Sequence, residues 1–232
     1  AHILAHFIDD ANIAPPPFPF LCLTVSGGHT MIVLVKDYFD MEIIGKTIDD
    51  AAGEAFDKIG KIFDLDYPAG PIIDKLAKNG DPNAFTFSKP RLEKYDYSFS
   101  GIKTSVLYFI QKEIKKNPDF VKENIENLAA SVQKTIVETL MNKLEKAAKD
   151  YNIHDIAIAG GVSAYSGLRV AMKKNEEKLG WNIYIPKFEY TTDNAAMIAM
   201  VAKLKYDRGE FSDLSVSATA RYDIEESFKQ KS

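Results

Sequence analysis

Short apolar runs separated by turn residues open the chain and predict a three-stranded antiparallel meander. The runs lie at 21–25, 31–35 and 41–47, and strands of this length bounded by turn residues are typical of a sheet. From 49 to 63 the apolar positions change to helical spacing, with Ala52, Phe56, Ile59 and Phe63 on one face. Asp49 or Asp50 is the expected N-cap of this helix.

Helical and strand patterns alternate through the rest of the chain and predict an α/β fold. A strand, a helix, a strand and a helix follow the meander in the last third of the sequence, which is an arrangement of layered α/β proteins. The segment before them is predicted to be helical, apart from an irregular aromatic stretch. The predicted helices are 72–78, 102–116, 119–130, 131–150, 164–179 and 192–208, and the predicted strands are 156–159 and 182–185. The tail beyond Tyr222 is polar.

Composition places the chain among ordinary folded proteins and excludes several classes. Of 232 residues, 46% are hydrophobic and 27% charged, and the net charge of −4 argues against binding nucleic acid by bulk charge alone. The single cysteine, Cys22, excludes a disulfide framework and a cysteine metal cluster, so a reducing cytoplasm is expected. The chain starts at Ala1 without an initiator Met, from which we expect a piece of a longer protein.

Two diglycine turns, each after an apolar run, are the first candidates for chemistry. Gly27 and Gly28 lie between the first two predicted strands, and Gly160 and Gly161 follow the strand at 156–159. Free backbone N–H groups at such turns can hold phosphate oxygens, and a helix predicted to begin near Ala164 would help the second one. An ordinary hairpin turn explains Gly27 and Gly28 equally well.

Three other positions have both a structural and a functional interpretation. Asp57 either pairs with Lys61 one helical turn away or accepts a ribose hydroxyl. Asp193 either caps the last helix or ligates a metal. His2 and His6 have the i, i+4 spacing of metal ligands on a helix, although such pairs are more often surface residues.

Six blocks resemble one family, in its order and over nearly the whole chain. They are Val-Ser-Gly-Gly-His-Thr (25–30), Asp-Asp-Ala-Ala-Gly-Glu-Ala-Phe-Asp-Lys (49–58), Tyr-Pro-Ala-Gly-Pro (67–71), Ser-Phe-Ser-Gly-Ile-Lys-Thr (98–104), Ala-Gly-Gly-Val-Ser-Ala (159–164) and Thr-Asp-Asn-Ala-Ala-Met-Ile-Ala (192–199). The chain is similar to the TsaD/Gcp/YgjD family of tRNA adenosine threonylcarbamoyltransferases. The resemblance implies the actin/hexokinase-like (ASKHA) fold, with two RNase H-like lobes around a nucleotide. Residues 1–232 would be its major C-terminal part, and the N-terminal segment of the first lobe would be absent.

The implied reaction moves a threonylcarbamoyl group from threonylcarbamoyl-AMP to the exocyclic amine of adenosine 37 in tRNAs that read ANN codons. By resemblance the metal is iron or zinc, bound by His2 and Asp193. The resemblance and the diglycine turns together give the expected adenylate contacts: Thr24, Val25, Ser26, Gly27, Gly28, Asp57, Gly70, Asp74, Gly160, Gly161 and Tyr165. No catalytic residue is assigned. The implied partners are tRNA, a paralogous TsaB-type protein and a TsaE-type ATPase, in the cytoplasm.

The chain departs from the family pattern in three places. The family's metal motif is His-x-x-x-His; either His2 is its second histidine and the first precedes Ala1, or His2 and His6 are the pair. Tyr165 stands where the family usually has Asn, which puts one donor contact in question. Thr24 stands where archaeal and eukaryotic members have Tyr, so a bacterial type is expected.

We expect the fragment to be inactive alone because its metal site would be incomplete. Two other functions share the superfold: a small-molecule kinase, and a non-catalytic partner or scaffold that lacks the metal motif.

Overall fold

A five-stranded mixed sheet forms the centre of the computed structural model, which describes residues 1–9, 14–90 and 92–217. Its strands are β1 (Phe20–Val25), β2 (Thr30–Asp37), β3 (Asp40–Lys46), β4 (Asp155–Ala159) and β5 (Asn182–Tyr184). The strand order is β3-β2-β1-β4-β5. The first three strands pair antiparallel, whereas β4 lies parallel to both β1 and β5. The predicted meander is therefore confirmed, and the two later strands, β4 and β5, extend it.

Seven α-helices and three short 3₁₀ helices surround the sheet within the described ranges. The α-helices are α1 (Ala52–Ile62), α2 (Ala69–Ala77), α3 (Ser100–Ile114), α4 (Phe120–Glu123), α5 (Ile125–Tyr151), α6 (Ser166–Leu179) and α7 (Ala195–Asp207). The 3₁₀ helices are Leu4–Phe7, Gly161–Ala164 and Phe188–Tyr190. No helix among the residues described is long and apolar enough to cross a membrane.

Both faces of the sheet are buried, which explains why its central strands are almost uninterrupted apolar runs. On β1, Leu21 and Leu23 point into the larger core, which the helices α1, α3, α5 and α6 complete. Phe20 and Cys22 point the other way, into a smaller core with Leu4 and Leu204 of α7. Alternate side chains of a strand lie on opposite faces of the sheet, so both sets of side chains must be apolar when both faces are buried.

Two local predictions are wrong, for identifiable reasons. The break between the second and third helices of the middle segment lies at Asn124 rather than after 130, because α5 continues unbroken for 27 residues. Neither Asp49 nor Asp50 caps α1, whose N-cap is Ala51 without a side-chain bond. Thr30 and the Ser26 carbonyl take that role instead, accepting from the Ala52 and Gly53 N–H groups at 2.9 and 3.2 Å.

Asp49 instead caps a helix that is distant in sequence. Its carboxylate accepts from the backbone N–H of Phe99 at 2.8 Å and from the hydroxyls of Ser98 and Ser100 at 2.6 Å each. Partial burial raises the pKa of Asp49, but these hydrogen bonds outweigh it and leave the pKa below its usual value. Two of the sequence blocks, 49–58 and 98–104, thus meet at the start of α3.

Candidate functional site

The first diglycine turn is a closed loop whose glycines face open space. The Ser26 hydroxyl accepts from the backbone N–H groups of Gly28 at 3.3 Å and His29 at 3.0 Å, while the Ser26 N–H donates to the His29 carbonyl at 2.8 Å. A Cβ added to Gly27 or Gly28 would meet no atom within 4 Å. These glycines are therefore not required by packing inside the chain.

Close backbone contacts hold three loops together at the end of the sheet. A Cβ on Gly160, at φ +88°, would lie 2.5 Å from the Val25 carbonyl oxygen, and one on Gly53 would lie 2.6 Å from the Ser26 carbonyl oxygen. A Cβ on the next residue, Gly161, would lie 4.0 Å from the Cγ2 atom of Thr192. The loops leave the carboxyl ends of the parallel strands β1 and β4, which is where ligands bind in open α/β sheets.

A cavity of about 730 Å³ opens beside the first turn. Its polar lining residues include Thr24, the turn residues Ser26 to His29, His2 and Asp193, and its apolar lining residues include Met31, Met41 and Val201. The metal ligands implied by the resemblance thus lie in one cavity with the Ser-Gly-Gly turn.

His2 and Asp193 meet inside this cavity. Their Nε2 and Oδ1 atoms are 3.2 Å apart, and the Asp193 side chain is 91% exposed. Desolvation lowers the pKa of His2, although Asp193 opposes the shift. Asp193 is free for this contact because the N-cap of α7 is Asn194, whose Oδ1 accepts from the Met197 N–H at 2.9 Å. The capping alternative for Asp193 is therefore wrong.

The spacing of the two atoms fits a shared metal ion. Two ligands that each lie about 2.1 Å from one ion stand roughly 3.0–3.4 Å apart at the usual coordination angles. The buried Nδ1 of His2 has no hydrogen-bond partner among the described residues. Those residues contain no group of three or more His, Cys, Asp and Glu side chains that could hold a metal. The chain as described therefore offers two ligands, and a complete site needs more.

His6 does not belong to this pair. Its Nε2 lies 2.9 Å from the Ile158 carbonyl oxygen on β4, and burial lowers its pKa. It lines a separate small cavity with Pro186 and Tyr190. The geometry favours the alternative in which His2 is the second histidine of the motif.

A second cluster begins one helical turn from Gly53 on α1. Asp57 accepts from the N–H groups of Ala69 at 2.8 Å and Gly70 at 3.3 Å, so its Oδ1 caps α2 across the interface between the two helices. No ion pair in the described structure joins Asp57 to Lys61, and that alternative is wrong. Four residues along α1 correspond to about 6 Å, which puts this cluster next to the first turn.

Asp74 on α2 is fixed from three directions. Its Oδ1 accepts from Gln133 Nε2 at 2.6 Å, from the Ser166 hydroxyl at 2.9 Å and from the Gly167 N–H at 3.4 Å. The N-terminus of α6, expected to begin near Ala164 and to serve a phosphate, begins at Ser166 and is occupied by this carboxylate. A phosphate would have to use the Gly160–Gly161 loop itself.

Tyr165 interacts electrostatically with both carboxylates. Its ring packs edge-on against Phe56, with centroids 5.3 Å apart at 80°, and a Cβ on Gly70 would overlap its hydroxyl. Burial raises the pKa of Tyr165, and the charges of Asp57 and Asp74 raise it further. The phenol is therefore a neutral hydrogen-bond donor where the family usually has an amide.

Comparison with known proteins identifies the family. Residues 1–200 match the family model described as "TsaD: tRNA N6-adenosine threonylcarbamoyltransferase". The chain belongs to this family. A tRNA N6-adenosine threonylcarbamoyltransferase from Riemerella anatipestifer is 82% identical over 224 residues, covering 97% of this chain and 66% of that protein. One from Christiangramia forsetii is 57% identical over 222 residues, covering 96% and 65%. The chain thus spans about two thirds of the length of these relatives.

Solved structures support the fold predicted for a TsaD-family chain. A structure of HypF from T. kodakarensis matches with a TM-score of 0.59, 14% identity, and coverage of 90% of this chain and 36% of that one. Full-length HypF in a phosphate- and nucleotide-bound form gives 0.63 and 12%, covering 91% and 36%. At these identities the likeness concerns the fold alone, and it confirms the α/β, ASKHA-type class.

The structure brings ten of the thirteen predicted site residues into two groups, whereas Val25, Gly160 and Gly161 belong to neither and Val25 is fully buried. Thr24, Ser26, Gly27 and Gly28 line the cavity with His2 and Asp193; Asp57, Gly70, Asp74 and Tyr165 form the second group. Gln133 and Ser166 were not predicted. A glutamine on the buried face of the long helix α5 is the signal that could have pointed to Gln133.

Proposed function

We propose that the protein transfers a threonylcarbamoyl group from threonylcarbamoyl-AMP to the exocyclic amine of adenosine 37 in tRNAs that read ANN codons. One observation carries the proposal: in a chain whose residues 1–200 match this family, the Ser26–Gly28 turn, His2 and Asp193 line a single cavity. The Ser26 hydroxyl and the His29 carbonyl hold the turn closed from inside, its two glycines face open space, and the metal-binding pair lines the same cavity. The adenylate would extend from this cavity toward Asp57, Asp74 and Tyr165.

In this reaction the adenosine amine attacks the carbamoyl carbon. A C–N bond forms, the C–O bond to the phosphate breaks, AMP leaves, and the amine loses one proton. A metal ion at His2 and Asp193, iron or zinc, would supply positive charge to the oxygens of the donor. The family is a metal-binding one; the identity of the ion is part of the proposal. The turn at Ser26–Gly28 would orient the donor, and Tyr165 would remain a neutral donor at the nucleoside end. No residue of the chain is assigned as the base.

The activity would need residues beyond this chain. The metal site described by His2 and Asp193 has two ligands, and the match covers only 66% of the length of the Riemerella anatipestifer relative. We therefore propose that an N-terminal segment of the first lobe completes the site, that the chain alone is inactive, and that 1–232 is the larger C-terminal part of a two-lobed protein. A bacterial type that works in the cytoplasm, with a TsaB-type paralogue and a TsaE-type ATPase, completes the proposal.

Modified nucleosides test the proposal directly. Threonylcarbamoyl-AMP and an unmodified tRNA transcript are incubated with the longer protein that includes the residues before Ala1, together with the proposed TsaB-type paralogue, the TsaE-type ATPase and ATP, and the digested tRNA is analysed by mass spectrometry. Threonylcarbamoyladenosine is expected with adenosine 37 and absent from a transcript with guanosine 37. The absence of product from both transcripts would contradict the proposed function, and product formed by the chain alone would contradict the need for the upstream segment.

A further inference from the structure

Gln133 is a buried amide in the middle of an otherwise mostly apolar stretch of α5. Gln133 is only 9% exposed, and its neighbours Val132 and Ile136 are fully buried. Burying an amide is unfavourable unless its hydrogen bonds are replaced. Its Nε2 donates to Asp74 Oδ1 at 2.6 Å. The buried Gln133 amide is therefore paired with the carboxylate of Asp74, which the resemblance predicts to contact the adenylate.

The position of the amide is fixed by α6. A Cβ on Gly167 would lie 2.6 Å from both Cδ and Oε1 of Gln133, so the amide packs directly on the α6 backbone. Ser166 and the Gly167 N–H donate to the same oxygen of Asp74. Oδ1 thus receives donors from α5 and α6 on three sides, and the carboxyl group cannot rotate without breaking them.

The other carboxylate oxygen is left for a ligand. Oδ2 of Asp74 accepts no hydrogen bond within the described part of the chain, and Tyr165 is near enough to Asp57 and Asp74 to interact electrostatically with both. We propose that Gln133 is a positioning residue: with Ser166 it holds Oδ1 of Asp74 so that Oδ2 accepts a hydrogen bond from a ribose hydroxyl of the bound adenylate. This inference rests on the proposed function and names how that site recognises ribose.

Binding of AMP and its deoxy analogues tests the inference. Calorimetry on the longer protein compares AMP, 2′-deoxy-AMP and 3′-deoxy-AMP for the unsubstituted protein, Gln133→Leu and the matched control Thr139→Val. Thr139 is also a buried polar residue of α5, but its hydroxyl bonds only the Thr135 carbonyl of its own helix. Melting temperatures are recorded for every variant.

The expected result is selective. Gln133→Leu weakens AMP about tenfold, but changes by less than about twofold the affinity for the analogue that lacks the bonded hydroxyl; Thr139→Val changes neither. Gln133→Glu, of the same size, puts a second carboxylate against Asp74 and is expected to weaken AMP at least as much. Ser166→Ala, which removes one donor, is expected to weaken AMP about threefold.

The outcomes that overturn the inference are distinct from failure of the proposed function. Equal weakening of AMP and both analogues in Gln133→Leu and Gln133→Glu would show a merely structural role. Unchanged AMP affinity in both would show that Asp74 needs no positioning. If the unsubstituted protein binds no AMP at all, the inference and the proposed adenylate site fail together.

Discussion

The two ends of the candidate site are built differently. At the Asp57–Asp74 end, each carboxylate has an oxygen tied to backbone N–H groups of α2 or α6, and the helices α1, α2, α5 and α6 converge there. At the His2–Asp193 end, the two side chains meet each other; Asp193 is 91% exposed and His2 Nδ1 has no partner in the described structure. The carboxylates of the first end find hydrogen-bond partners within this chain, whereas a metal at the second end would need further ligands.

The difference reflects what each kind of site requires from the rest of the fold: a helix N-terminus needs one nearby hydrogen-bond acceptor, whereas a metal ion needs several ligands. A carboxylate that caps a helix finds its partners inside the same folded core, because unsatisfied N–H groups are always present there. A metal site needs several ligands from separate segments, and a single short segment can supply only one or two. We therefore expect a substitution at the Asp57–Asp74 end to lower the stability of the fold, and one at the His2–Asp193 end to weaken metal binding instead.

The largest expected effect concerns the metal end. His2→Ala removes one metal ligand and Asp193→Asn removes the negative charge of the other, and we expect the rate of threonylcarbamoyl transfer by the longer protein to fall roughly 100-fold or more, with loss of bound metal. AMP affinity should change less than about threefold. The exposed His154, whose substitution by Ala should alter none of these, is the control. Product yield and metal content measure the effect; full activity in either variant would remove His2 and Asp193 from the site.

The next effect separates stability from binding at Asp57. Asp57→Leu leaves the N–H groups of Ala69 and Gly70 without an acceptor and should lower the free energy of unfolding by about 2 kcal/mol. Asp57→Asn keeps an acceptor oxygen, so the loss should stay below about 1 kcal/mol while AMP affinity falls severalfold. Denaturant titration and calorimetry measure the two quantities. An equal stability loss in both variants would contradict the capping role.

A smaller effect tests the contact between Tyr165 and Gly70. Gly70→Ala should destabilise the protein by about 1–2 kcal/mol, because its Cβ overlaps the Tyr165 hydroxyl and Phe56 limits movement of that ring. In a Tyr165→Asn background the same substitution should cost clearly less. A double-mutant cycle measures the coupling; additive costs would mean that the two residues do not compete for this space.

The smallest effect concerns Asp49, which caps α3 as Asp57 caps α2. Because the folded pKa of Asp49 lies below its usual value of 3.8, its contribution to stability is present above that pH and is lost as the pH falls through the lowered folded value. Asp49→Ala should therefore be less stable than the unsubstituted protein at pH 7 and approach it below about pH 4. AMP affinity at pH 7 should not change. A stability difference that is constant with pH would contradict this origin.

The alternation of apolar runs was enough to predict the meander, the strand β4 and the α/β class. It could not predict which carboxylates cap which helices. Asp49, Asp57 and Asp74 each bond residues 12 to 93 positions away, and a cap between elements depends on packing that leaves no local pattern. The assignment of Asp49 to α1 was wrong for this reason.

The candidate site shows the same limit. The resemblance to the family placed His2, Asp193, Asp57 and Asp74, of which Asp57 and Asp193 lie inside the quoted blocks. Gln133 belongs to none of the blocks and became visible only when α5 was seen packed on α2 and α6. The i, i+4 spacing of His2 and His6 suggested a pair, yet the 3₁₀ turn at Leu4–Phe7 directs His6 to the Ile158 carbonyl.

Calorimetric AMP binding to the longer protein, with and without a metal chelator, tests most directly whether the two ends are built independently. The account predicts that the dissociation constant changes less than about threefold on chelation or in Asp193→Asn, while Asp74→Ala, which removes the carboxylate held by Gln133 and Ser166, weakens binding at least tenfold. Loss of AMP binding on chelation, with Asp74→Ala binding normally, would contradict it.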